Sequence, residues 1–144
     1  MTGFRTTFQR MKLANDFSGL QQAVPYARFL GVSAAVENGR VITSMAYADR
    51  LIGNTALPAL HGGTLAALLE LAALFQIAYE IDTEAMPRTV TITIDYMRSG
   101  AARDTHARAQ ATRIGRRVAN VRAEAWQDDP ARPIAAANIN FLLA

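Results

Sequence analysis

Residues 54–80 read NTALPALHGGTLAALLELAALFQIAYE. From Thr64 to Ala78 the run is Leu- and Ala-rich, without Pro or internal Gly, which predicts a helix over about 64–78. A helix apolar on nearly every side is expected to be buried in a core. Two polar residues interrupt its body, Glu70 and Gln76. A lone carboxylate inside an apolar helix is costly unless it is paired or has a chemical task. His61-Gly62-Gly63 opens the run, and His61 lies nine positions before Glu70. Nine helical steps give roughly 180° of rotation and about 13 Å of rise, so the two side chains point to opposite faces. They cannot meet within one chain. Two copies packed helix against helix bring one chain's His near the other's Glu, which predicts a site shared across a two-fold interface.

The rest of the chain bounds this expectation. With 144 residues, 51% of them hydrophobic and 19% charged, the chain has the size and composition of one domain with a real core. There is no Cys, which excludes disulfides, thiolate nucleophiles and Cys-based metal sites. His61 and His106 are the only histidines, so a metal centre is not expected. The segment MTGFRTTFQRMKLAND lacks the apolar core of a signal peptide, and the 64–78 run is short for a membrane span and carries Glu70; a cytoplasmic location is expected. Net charge is +3, yet seven Arg (98, 103, 108, 113, 116, 117 and 122) fall between Arg98 and Arg122 against Asp104 alone. Such an excess suits a phosphorylated ligand or a solvated sheet face.

Working outward, Phe4, Phe8 and Met11 recur at i, i+4 and i+7, marking a short amphipathic helix in residues 1–14. Asp16 or Ser18 is placed to cap a helical turn through Gln21 and Gln22, which Pro25 disturbs; Gly31 ends the apolar stretch Tyr26–Leu30. Asn38-Gly39 between Val32–Glu37 and Arg40–Tyr47 is a strong hairpin signal. Residues 48–60 read as a loop, and the central helix is expected to end near Glu80–Thr83. Thr89–Arg98 alternates strictly between Val90, Ile92, Ile94, Tyr96 and Thr89, Thr91, Thr93, Asp95. Thr105–Ile114 and Arg117–Trp126 are joined across Gly115-Arg116, Asp128-Asp129-Pro130 makes a turn, and Ile134–Leu142 is the last strand. One apolar helix with these strands predicts a single α+β domain over 1–144, an antiparallel sheet of five to six strands wrapped around one long central helix, with 1–24 as an N-terminal extension of short helices. The uncovered sheet edges argue for an oligomer.

Asn54, the His61-Gly62-Gly63 triplet, the acid nine residues on, and the strand TVTITIDYMRSGA together resemble the hotdog-fold acyl-CoA thioesterases, of the phenylacetate-degradation and 4-hydroxybenzoyl-CoA type. The segments GRRVANVRAEAW and AAANINFLL are similar to that family's closing strands, so the resemblance spans roughly 25–143. Glu70 stands where this branch often has Asp. The resemblance implies a dimer or tetramer with shared sites that hydrolyses an acyl-CoA without a further cofactor. Glu70 is then the general base or nucleophile, and burial is expected to raise its pKa toward a useful range. Gly62 at the helix start is the implied backbone oxyanion donor, with Gly63 beside it letting a substrate approach. His61 orients the loop or bonds near the thioester, Asn54 positions the carbonyl or water, and Thr89 matches a hydroxyl that holds the water in some relatives. Arg98, Arg116 and Arg117 are the expected contacts for the phosphates of coenzyme A. Neither nucleic acid nor membrane is an expected partner. A non-hydrolytic acyl-CoA-binding module is the main alternative, ahead of a hotdog hydratase or dehydratase and of a nucleic-acid binder using the Arg-rich strands.

Overall fold

The computed structural model describes residues 3–82 and 85–143. Three short helices lead, α1 (Phe4–Ala14), α2 (Leu20–Ala23) and α3 (Pro25–Leu30). Strands β1 (Val32–Glu37) and β2 (Arg40–Met45) follow, then a 3-10 turn (Asp49–Leu51), β3 (Ile52–Asn54) and β4 (Ala59–Leu60). The long helix α4 (Gly62–Glu80) precedes β5 (Arg88–Tyr96), β6 (Thr105–Ile114), β7 (Val118–Trp126) and β8 (Ala135–Leu142). Six strands form one antiparallel sheet in the order β1-β2-β6-β7-β8-β5, and β3 pairs β4 separately. This is the expected wrap of a sheet around one helix, a hotdog fold.

Much of the sheet's inner face against α4 is made of small residues, with Val121, Ile139 and Phe141 as larger ones in the same rows. Ala107 and Ala109 of β6, Ala119, Ala123 and Ala125 of β7, and Ala135 and Ala137 of β8 are all buried, as are Leu68, Leu69, Phe75 and Ile77 of the helix. Small side chains on the strands leave the depth that large ones on the helix fill. α4 is long and apolar enough to cross a membrane by length and composition, but here it is the core element on which the sheet is seated. Gln76, 1% exposed, is satisfied inside that core: its Oε1 accepts from the Val41 N–H at 2.8 Å and its Nε2 donates to Glu80 at 3.0 Å.

Asn38 and Gly39 form the β1–β2 turn with φ of 51° and 76°, the left-handed values the dipeptide favours. The 1–14 helix is α1, with Phe8 and Met11 buried and Phe8 stacked 6.1 Å from Phe75; Met1 and Thr2 lie outside the described residues, as does Thr83 at the outer limit expected for the central helix. Three expectations are corrected. Residues 48–60, read as a loop, hold the 3-10 turn and the β3–β4 pair, too short to show a periodicity. Neither Asp16 nor Ser18 caps a helix: α2 starts after Gly19 with no side-chain cap, while Asp16 accepts from the Ser18 N–H at 2.9 Å in a local turn. That backbone bond, with the Ser18 hydroxyl, holds the Asp16 carboxyl below its usual pKa. Pro25, read as a disturbance, opens α3, where its missing N–H costs nothing.

Candidate active site at the start of the central helix

His61 is the N-cap of α4, and its extended backbone (φ −63°, ψ 130°) turns the chain into the helix. Its Nδ1 accepts from the Gly63 N–H at 2.9 Å, and its carbonyl accepts from the Thr64 N–H at 3.0 Å and the Thr64 hydroxyl at 2.6 Å. Capping needs the Nδ1 lone pair, so the neutral ring carries its proton on Nε2, on an exposed face. The Gly62 N–H has no acceptor among the described residues. At a helix start such a donor carries the positive end of the helix dipole and suits a developing oxyanion.

The glycines here are spacers for named neighbours. A Cβ on Gly63 would sit 2.9 Å from His61 Nδ1, and one on Gly62 would sit 3.3 Å from the ring of Tyr96. A Cβ on Gly53 would meet the His61 Cα at 2.7 Å, which seats β3 directly against the capping residue. Asn54 is next to that contact, but its side chain accepts from the Ala56 N–H at 3.0 Å and so holds the loop.

An open cavity of ≈ 340 Å³ lies beside this turn, lined among others by Leu60, Gly62, Leu65, Tyr96, Met97 and Arg98. Tyr96, read in the sequence only as part of a strand face and not as a site residue, donates its hydroxyl proton to the Gly62 carbonyl at 2.9 Å. Its place on the same strand face as Ile92 and Ile94 was the available signal. Arg98 also lines a second cavity of ≈ 210 Å³ with Arg103, Gln127, Asp128 and Arg132, and its guanidinium donates to the Pro133 carbonyl at 2.6 Å. Arg103 is held by Asp128 at 2.9 Å. Arg132 is a cation near Arg98 that the sequence did not single out.

One chain does not bring the remaining residues together. Glu70 is eight helical residues beyond Gly62, a rise of about 12 Å. It is half-buried, not buried as expected, because it shares with Ala66 and Ala67 a stripe of α4 that the sheet leaves partly open. Thr89 is at the far end of β5 from Tyr96, about 23 Å away along the strand. Arg116 and Arg117 sit at the β6–β7 hairpin, the sheet end opposite Arg98, with the Arg117 carbonyl accepting from the Leu143 N–H at 2.7 Å. β5 pairs with β8 on one side only, and Val90 (61% exposed) and Tyr96 (54%) extend beyond the helix cover.

A six-stranded antiparallel sheet wrapped on one long central helix places the chain in the hotdog class. The thioesterase superfamily model matches residues 57–134, and the chain belongs to that superfamily. A solved Chromobacterium violaceum protein is 31% identical with a TM-score of 0.79, covering 96% of this chain and 97% of its own. A phenylacetic acid degradation-related protein from Ralstonia eutropha is 22% identical (TM-score 0.77; coverage 94% and 98%). A Bacillus halodurans protein solved with CoA is 17% identical (TM-score 0.77; coverage 96% and 92%). No curated protein matches the chain.

Proposed function

We propose that the protein is an acyl-CoA thioesterase acting as a homodimer or dimer of dimers, with each site shared by two chains. The observation that carries this is the Gly62 N–H at the start of α4, without an acceptor among the described residues, beside an open cavity of ≈ 340 Å³. The thioester carbonyl oxygen lies against this N–H, which stabilises the charge that develops as the carbonyl carbon turns tetrahedral. Glu70 of the partner subunit serves as general base for water or as nucleophile. The C–S bond breaks, coenzyme A leaves as the thiol after gaining a proton, and the acyl group leaves as a carboxylic acid.

The exposed β5 edge supports the shared arrangement. Two β5 strands paired about a two-fold axis run antiparallel, so the Thr89 end of one lies beside the Tyr96 end of the other. The same pairing brings one chain's Arg116–Arg117 end toward the other chain's Arg98, where the phosphates of coenzyme A are placed in this reading. Arg132 joins Arg98 as a phosphate contact on the rim. The CoA bound to the Bacillus halodurans relative fits this ligand class. A cytoplasmic location and independence of any added cofactor belong to the same reading.

The test is thiol release from acyl-CoAs ranging from acetyl to palmitoyl, with phenylacetyl and benzoyl, alongside Glu70→Gln. Turnover that falls at least a hundredfold in the variant is expected. Tight acyl-CoA binding without turnover by the folded wild-type protein would instead favour the binding module.

A further inference from the structure

We propose that Tyr96 is a positioning residue that locks the first turn of α4 so that the Gly62 N–H keeps one orientation toward the cavity. The inference rests on the thioesterase reading of that N–H, and it concerns a residue that contacts the donor's own backbone.

Two adjacent glycines at a helix start are a weak way to fix a hydrogen-bond donor. Each has wide backbone freedom, and each disfavours the helix relative to Ala. An oxyanion donor is useful only when it is aimed before the charge develops. Gly63 is tied down by His61 Nδ1 at 2.9 Å, and Thr64 by the His61 carbonyl at 3.0 Å. Gly62 has no such tie on its own N–H among the described residues. The carbonyl in the same peptide plane, that of His61, is held by the Thr64 N–H and hydroxyl. The carbonyl that follows, Gly62's own, accepts from the Tyr96 hydroxyl at 2.9 Å, so the peptides on both sides of the Gly62 Cα are pinned.

The ring adds a second restraint. Cε1, Cζ and the hydroxyl oxygen of Tyr96 all lie 3.3 Å from where a Gly62 Cβ would be. The phenol therefore fills the side of Gly62 that a larger residue would occupy. The residue pair is matched: the absence of a side chain at 62 admits the ring, and the ring's hydroxyl closes on the 62 carbonyl. Tyr96 is itself anchored by β5, whose backbone pairs through Ala135 of β8 at this level. The phenol thus ties the Gly62 carbonyl at the helix start to β5.

Tyr96→Phe separates this role from that of a cavity wall, because the ring stays and only the hydroxyl is lost. Loss of one neutral hydrogen bond corresponds to about a fivefold effect. The expected result is a kcat about fivefold lower with KM within twofold of wild type. Amide exchange at Gly63 and Thr64, followed by NMR, is expected to accelerate about fivefold while the β6–β8 amides do not change. A raised KM with unchanged kcat would assign Tyr96 to the wall alone and overturn the proposal. Unchanged exchange at Gly63 and Thr64 would overturn it as well. If the wild-type protein turns over no acyl-CoA, the thioesterase reading fails by itself, and the exchange comparison still decides whether Tyr96 locks the turn.

Discussion

Replacing Gly63 by Ala should separate stability from activity. The added Cβ would lie 2.9 Å from His61 Nδ1 and 3.1 Å from Cε1, closer than packed carbons come, so the imidazole must swing away. The Gly63 N–H then loses its cap, a loss of about 1 kcal/mol. Ala is the better helix former by about the same amount, and the two terms nearly cancel. For a chain of this length 1 kcal/mol moves Tm by roughly 3 °C, so Gly63→Ala is expected to melt within about 3 °C of wild type. Turnover should nevertheless fall at least tenfold, since His61 leaves its place at the site. His61→Ala alone loses the cap with nothing in return and should melt about 3 °C lower. Adding Gly63→Ala to that variant should restore the loss, because the ring it would strike is gone; the cycle gives a coupling of about 1 kcal/mol. Scanning calorimetry and thiol-release kinetics on the four proteins check this. A Gly63→Ala protein melting more than about 6 °C low, or one with full activity, would refute the reasoning.

Two further outcomes follow from other contacts. The Thr43 hydroxyl is fully buried (0% exposed) and has no hydrogen-bond partner among the described residues, so Thr43→Val should raise stability by about 1 kcal/mol in denaturant titration; a loss of that size would point to a partner in solution. Val90 lies on the exposed β5 edge, and Val90→Lys should convert the protein toward monomer by light scattering and lower turnover in step, whereas an active monomer would end the shared-site account.

The fold was legible in the sequence where local chemistry sets the structure. The Leu- and Ala-rich run gave α4 within two residues at each end, the additional turn at its start being fixed by the His61 cap, which apolar periodicity does not report. Asn38-Gly39 gave its hairpin, and the alternation after Arg88 gave β5. The alanine strands were harder. Ala107, Ala123 and Ala137 carry little hydrophobic signal, yet they are the floor beneath the helix, a role set by what faces them. β3 and β4 were hidden in a loop because a pairing of three residues with two has no periodicity to detect. At the site, His61 and the glycines were visible as a motif, but the reasons for them were not. Gly63 is small because of the His61 ring two residues back, and Gly62 because of Tyr96, on a strand 34 residues further on. Glu70 was read as buried from composition; its half-open position comes from the sheet leaving one stripe of the helix uncovered.

In the proposed dimer, Gly62 of one chain and Glu70 of the other form one site. Gly62→Pro removes the donor N–H at the first helical position, where proline is tolerated and the extended His61 backbone suits it; its Cβ would lie 3.3 Å from the Tyr96 ring, which is more than half exposed and has room to shift by the few tenths of an ångström needed. Glu70→Gln removes the carboxylate. Each variant alone should be inactive. Co-expressed with different tags and purified as the mixed dimer, they leave one site with an intact Gly62 and an intact Glu70, and the account predicts about half of wild-type turnover per dimer. A mixed dimer as inactive as its two parents would place both groups in one chain's site and contradict the account.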